Sequence, residues 1–295
     1  SSDLSVATVS GSTVTIVGAG STTITASQGG DTNYAAATSV DQVLTVDQAN
    51  LTVTADDQAK NFGDANPALT FTYGSFVGSE SATDLTTEPT ASTSADASSV
   101  PGDYAITLSG GAADNYTFNY VDGNLAIAKQ SQTITFNALS AVTYGDADFT
   151  LSGNSDSGLT VSYTSSDLTV ATVSGNTVTI VGAGSTTITA SQGGDTNYAA
   201  ATSVDQVLTV DQANLTVTAD DQAKNFGDAN PALTFTYGSF VGSESETDLT
   251  TEPTASTSAD ASSVPGDYAI TLSGGAADNY TFNYVDGNLA VAKQS

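Results

Sequence analysis

The chain has no cysteine, histidine, methionine, tryptophan or arginine. Without cysteine there can be no disulfide and no thiol chemistry, although this leaves the compartment open. Without histidine and cysteine the usual zinc, copper and iron ligands are missing. A Ser-His-Asp or Cys-His nucleophile cannot be assembled either. Positive charge is nearly absent: four lysines, Lys60, Lys129, Lys224 and Lys293, face 32 acids, for a net charge of −28. With no arginine and no basic stripe, nucleic acid and anionic membrane are poor partners. No apolar run approaches the ~20 residues that span a bilayer, and no signal peptide is seen. The acidic surface suits a saline exterior, where salt screens self-repulsion beyond about 10 Å.

What the chain does have is a copy of itself. Residues 1–131 recur as residues 165–295, and only four aligned pairs differ: Ser5/Thr169, Ser12/Asn176, Ala82/Glu246 and Ile127/Val291. A 164-residue unit copied this closely is a structural module. One active site would satisfy an enzyme, whereas a stalk or filament needs length. The chain opens at Ser1 in mid-repeat and so reads as a window from something longer.

Within the unit, apolar residues alternate at period 2, the pattern of half-buried strands. Val14 and Ile16 alternate with threonines, as do Leu51, Val53 and Ala55. Further rows are Thr22-Ile24-Ala26, Phe71-Tyr73, Tyr104-Ile106-Leu108 and Tyr116-Phe118-Tyr120. No stretch of ten or more residues keeps helical spacing. Short strands every 8–12 residues, parted by Gly, Asn, Asp and Ser, predict an all-β chain of tandem immunoglobulin-like β-sandwiches.

The 164-residue period is too long for one sandwich and fits two. This predicts a partial module A at 1–47, module B at 48–130, module A at 131–211 and module B at 212–295. The first A lacks counterparts of residues 132–164, predicted to hold two or three strands, which must come from preceding chain or from a neighbour by strand donation. Junctions such as Val46-Asp47-Gln48-Ala49 lack the Gly/Ser length of flexible linkers. Modules roughly 30 Å tall, stacked end to end, predict an extended rod. Alternating A with B also separates identical neighbours, which would otherwise risk exchanging strands while folding.

Two families are resembled. Type A carries Val170-Ala-Thr-Val-Ser174, Thr177-Val-Thr-Ile-Val-Gly-Ala-Gly184 and Thr186-Thr-Ile-Thr-Ala190, preceded by Tyr144-Gly-Asp146. This looks like the core of bacterial Ig-like (Big-type) repeats. Type B carries Lys224-Asn-Phe-Gly-Asp-Ala-Asn-Pro231, Gly266-Asp-Tyr268, Asp278-Asn-Tyr280 and Asp286-Gly287. It resembles the MBG repeat, usually written YGD…NP, with Phe62 and Phe226 in place of the tyrosine. The resemblance covers essentially the whole chain. It implies a segment of a giant extracellular adhesin or filament, of the kind found in gliding marine Bacteroidetes that use type IX secretion.

Candidate sites each carry a plainer reading. Asp56, Asp57 and Asp64, repeated as Asp220, Asp221 and Asp228, cluster near the A–B boundary and could hold Ca²⁺, which takes six to eight oxygens. In so acidic a chain they equally fit solvated turn carboxylates, and no EF-hand or RTX nonapeptide spacing is present. The loops 61–67 and 225–231 fit turns, through Gly, Asp, Asn and Pro; so does Tyr144-Gly-Asp146, its ring expected on the end of its own sandwich. Tyr104, Tyr116, Phe118 and Tyr120 could stack on sugars but are needed for a core. A lysine–asparagine crosslink competes with plain solvation at Lys129 and Lys293. Paired carboxylates could hydrolyse glycosides, yet none sits in a recognisable signature.

The expectation is therefore non-catalytic, with no catalytic residue and no required cofactor. It is a stalk or spacer of a secreted surface adhesin or filament, whose partners are neighbouring repeats and whose chains could also associate as a homo-oligomer. The alternative is a module binding glycans or a cell surface, replicated for avidity.

Overall fold

Threonine and valine fill the alternating rows, and their branched Cβ atoms favour the extended backbone. Each row named above is a strand in the computed structural model, which describes residues 1–294. Two single 3₁₀ turns, Ala82–Asp84 and Glu246–Asp248, are the only helical elements among the described residues. The chain divides into two compact units. One is Ser1–Gln130 with the loop Asp195–Ala199; the other is Ser131–Gly194 with the chain from Ala200 onward.

In the first unit, Ala49–Ala55 lies between Tyr116–Val121 and Phe71–Tyr73 in a three-stranded sheet. Facing it is a four-stranded sheet ordered Gln58–Asn61, Gly123–Ala128, Gly102–Ala112 and Thr87–Thr93. Leu51, Val53, Ile106 and Leu125 fill the space between the sheets and are fully buried. The second unit repeats this sandwich around Leu215, Val217, Ile270 and Leu289.

Ahead of that repeat, the second unit holds a complete A module. Its main sheet runs Val142–Thr143, Val204–Asp211, Gly184–Ser191 and Ser162–Ser165. Phe149–Thr150, Thr177–Ile180 and Ala171–Ser174 make a second sheet, and Val178, Ile188, Ala190 and Leu208 are buried in the core. Between Ile134 and Ser165 there are five strands, where two or three were expected. Four of the five are only two residues long, too short for alternation to register.

Parallel pairing was not legible in the sequence. Each complete module sets its second strand parallel to its last strand. Gln58–Asn61 pairs with Leu125–Ala128, Gln222–Asn225 with Leu289–Ala292, and Val142–Thr143 with Val210–Asp211. In both B modules the first strand is also parallel to the penultimate one, over six registered pairs.

The first A copy has only the hairpins Ala7–Ser10/Thr13–Ile16 and Gly20–Ala26/Val40–Val46. Val14 is 43% exposed, whereas the identical Val178 is fully buried. Leu44 is partly buried where Leu208 is wholly so. The difference lies in residues 132–164, which supply Ile134, Phe136, Leu151, Val161 and Tyr163 to the complete core.

Because cavity cost depends on burial, Leu208→Ala should destabilise the chain by about 2–5 kcal/mol. Leu44→Ala, the same change in the same local sequence, should cost about 1 kcal/mol or less. Scanning calorimetry of the two variants checks this; equal losses would refute the burial difference.

Candidate functional site at the A to B junctions

A single residue joins the last strand of A to the first strand of B in the second unit. Gln212 stands between Val204–Asp211 and Ala213–Ala219. So short a link leaves polar groups that need local partners. Gln212 Nε2 donates to the carbonyls of Ala277 (3.2 Å) and Asp278 (2.9 Å), and Ala213 N donates to Asn279 O (2.9 Å). From the A side, Ala183 N donates to Asn279 Oδ1 (2.9 Å). The Asp278-Asn279 loop is thus held by both modules. In the first unit Gln48, Ala49 and Ala19 make the same bonds to Ala113, Asp114 and Asn115.

Tyr144 completes the junction in the second unit. Its backbone N donates to Asp211 O (2.8 Å), and Asp146 closes the turn by accepting from Thr143 N (2.7 Å). Gly145 has φ +94°, and a Cβ there would stand 2.8 Å from Val241 Cγ2, so the turn requires glycine. The tyrosine ring packs against the core of its own sandwich and also reaches the next one. It meets the Tyr280 ring edge-on at 5.9 Å, and its hydroxyl donates to Glu244 Oε1 (2.8 Å). The Tyr280 hydroxyl donates to the other oxygen, Oε2, and accepts from Val241 N (2.8 Å). One carboxylate therefore takes a tyrosine from each module. Burial, reinforced by the Glu244 bond, pushes both phenols up to about 12. Neither Tyr144's reach nor Glu244's role was read from the sequence. The available signal was the spacing of Tyr-Gly-Asp before a strand that runs directly into the next module.

The calcium candidates are each tied to a different neighbour. Asp56 accepts from the Thr70 hydroxyl (2.7 Å), Asp57 from Asn124 N (2.7 Å) and Asp64 from Asn61 N (3.2 Å). Asp220, Asp221 and Asp228 repeat this with Thr234, Asn288 and Asn225. Among the described residues, no group of three or more acids is placed to hold a metal ion.

The loop beside them instead wraps a lysine, which sequence reasoning missed. Lys60 and Lys224 are only 8% exposed. Lys60 Nζ donates to the carbonyls of Asp64 (3.0 Å) and Asp96 (2.5 Å). Lys224 Nζ donates to Asp228 O (3.3 Å), Asn230 Oδ1 (2.7 Å) and Asp260 O (2.6 Å). These bonds pin the Asn-Phe-Gly-Asp-Ala-Asn-Pro loop to the sandwich and satisfy the buried ammonium. Lys129, in contrast, is exposed and donates to Asp195 O. Of the aromatic row, Tyr116 is buried, and Tyr104, Phe118 and Tyr120 pack partly buried against the core.

Two facing sheets, an interior of branched aliphatics and a repeat of the whole unit define a tandem immunoglobulin-like β-sandwich protein. Residues 51–126 and 215–290, together just over half of the chain, match the MBG domain (YGX type), and the chain belongs to that family. No curated protein sequence matches it. Among solved structures, Drosophila N-cadherin EC1-4 is 10% identical, with 93% of this chain and 83% of that one covered, at a TM-score of 0.29. Mouse cadherin-23 EC22-24 is 12% identical, covering 82% and 99%, also at 0.29. The N-terminal four Ig domains of Dscam1 isoform 9.44 are 13% identical, covering 88% and 79%, at 0.29. Overlays this loose transfer nothing from those proteins to this chain.

The tyrosine pair fixes a direction of pH dependence. Unfolded tyrosine loses its proton near 10, while folded Tyr144 and Tyr280 hold theirs to about 12. The folded state thus binds more protons between these values, so stability is fully present below about pH 10 and falls as pH rises towards 12. Phenolate absorbance should show late-titrating tyrosines, and Tyr144→Phe should remove one of them and flatten the slope. An unchanged alkaline titration in that variant would contradict the assignment.

Proposed function

We propose that this chain is a load-bearing stalk or spacer segment of a secreted bacterial surface adhesin or extracellular filament. Its work is mechanical and non-catalytic, and its immediate partners are neighbouring repeats of the same polypeptide. The observation that carries this reading is the parallel pairing of the second and last strands in each complete module. Tension on the two chain ends pulls such strands in opposite directions along their own length. Every hydrogen bond in the ladder is then loaded together, whereas strands pulled apart from one end fail one bond at a time.

Further support comes from the clamped junctions, which transmit force without a slack linker. The near-exact duplication adds length, not new chemistry. The titratable groups brought together at the junction, Glu244 with Tyr144 and Tyr280, hold one another. The resemblance to Big-type and MBG repeats supports an extracellular, cell-surface setting of the type IX kind, and the acidic surface suits it.

Stretching single molecules of the full chain tests the proposal. Three discrete unfolding events are expected, from the two B modules and the complete A module. Each should release roughly 250 Å of chain at ~3.3–3.6 Å per residue. Smooth extension without such events would overturn a load-bearing role.

A further inference from the structure

Cysteine, methionine and tryptophan are all absent, so tyrosine is the most readily oxidised side chain in the molecule. A one-electron oxidant acting on the chain therefore leaves its radical on a phenol. The 12 tyrosines are not equivalent as places for that radical to react. Among the described residues, Tyr144 and Tyr280 are the one pair of tyrosines in ring contact, and every other aromatic contact includes a phenylalanine.

The two rings meet edge-on at 5.9 Å, with 89° between their planes. Their hydroxyls converge on one group: Tyr144 donates to Oε1 of Glu244 (2.8 Å) and Tyr280 to Oε2. Phenols that share a carboxylate bring their hydroxyl-bearing edges together, and the carbons ortho to each hydroxyl lie on those edges. We propose that Tyr144 and Tyr280 are an oxidative cross-linking site, joined through their ortho carbons as a dityrosine when a haem peroxidase supplied with hydrogen peroxide acts on the folded chain.

The site supplies what this reaction needs besides the oxidant. Both phenols hold their protons to about 12, so at neutral pH the electron and the proton leave together. The Glu244 carboxylate, already bonded to each hydroxyl, takes that proton without rearrangement and passes it to solvent. Tyr280 is 4% exposed, while Tyr144 is only partly buried. Tyr144 is therefore oxidised first and draws an electron from Tyr280 across the ring contact, after which Tyr144 is oxidised again. The two phenoxyl radicals join at their ortho carbons, and the ortho hydrogens move to the oxygens as protons, restoring both rings. One C–C bond replaces two C–H bonds, and one hydrogen peroxide becomes two waters. The product fits as well: a dityrosine carries its hydroxyls on either side of the new bond, and one carboxylate can accept from both.

The bond would tie module A covalently to the B module that follows, at the junction Gln212 and Asn279 already hold by hydrogen bonds. It goes beyond the stalk reading and does not depend on it, since a chain under no tension could be joined here too.

The test is oxidation of the dilute, folded full chain by a haem peroxidase with hydrogen peroxide, read by intact mass and by mapping of linked peptides. A monomer lighter by two hydrogens is expected, with dityrosine fluorescence, and Tyr144 joined to Tyr280 should dominate the map. Unfolding in urea before oxidation should abolish that preference. Tyr144→Phe, which keeps the ring, should remove the linked pair, and Glu244→Gln should lower its yield at least about tenfold. A monomer without the link, links spread over other tyrosines, or an undiminished yield from Glu244→Gln would each overturn the inference. The wild-type map decides the matter even if a variant folds poorly. Stretching is measured on the unoxidised chain, so failure here and failure of the stalk reading are separable.

Discussion

A strand with apolar residues at alternate positions must have that face covered by a second layer, and the whole molecule is organised by that requirement. Its clearest expression is the contrast between two stretches of the same sequence. Thr13–Ile16 and Thr177–Ile180 are both Thr-Val-Thr-Ile, and both form hairpins with the strand before them. Covered by the strands of residues 132–164, Val178 disappears into a core; without them, Val14 faces solvent. Local sequence sets the strand, and long-range cover decides whether it becomes a sandwich.

Small sandwiches bury limited apolar area, so their ends matter. The junction answers this by letting one module finish the other. Tyr144 packs against its own core and against a cluster containing Tyr280 and Val241 of the next module, and Glu244 gathers hydroxyls from both. Gln212 uses its side chain to tie off the carbonyls of the loop it passes. The lysines do comparable work inside each B module, holding a loop by its carbonyls. In a chain with 32 acids, two of its four cations are buried and bonded to backbone and amide oxygens.

The strands were legible because threonine, valine and tyrosine alternate cleanly over four or more residues, as in Leu51–Ala55 and Tyr116–Tyr120. The two-residue strands Ile134–Thr135, Val142–Thr143, Phe149–Thr150 and Asn154–Ser155 offered no period to read. Parallel registry was hidden for a different reason: alternation reports which face is buried, not the direction of the neighbouring strand. The junction was half legible. Tyr144-Gly-Asp146 was recognisable as a turn from its glycine and aspartate, but Glu244 lies 100 residues away, and nothing local marks that acid from the others. Lys60 was visible as a lone cation among acids, yet its partners are main-chain carbonyls, which carry no sequence signature.

The absence of native cysteine makes the central claim, that cover and not local sequence separates the two A copies, directly measurable. Single substitutions Val14→Cys and Val178→Cys place one thiol at matched positions of the repeat, and the rate of its modification by a thiol reagent reports exposure. The account predicts reaction at Val14→Cys near the rate of a free thiol and strong protection at Val178→Cys in the folded chain. Similar rates at the two positions would contradict it.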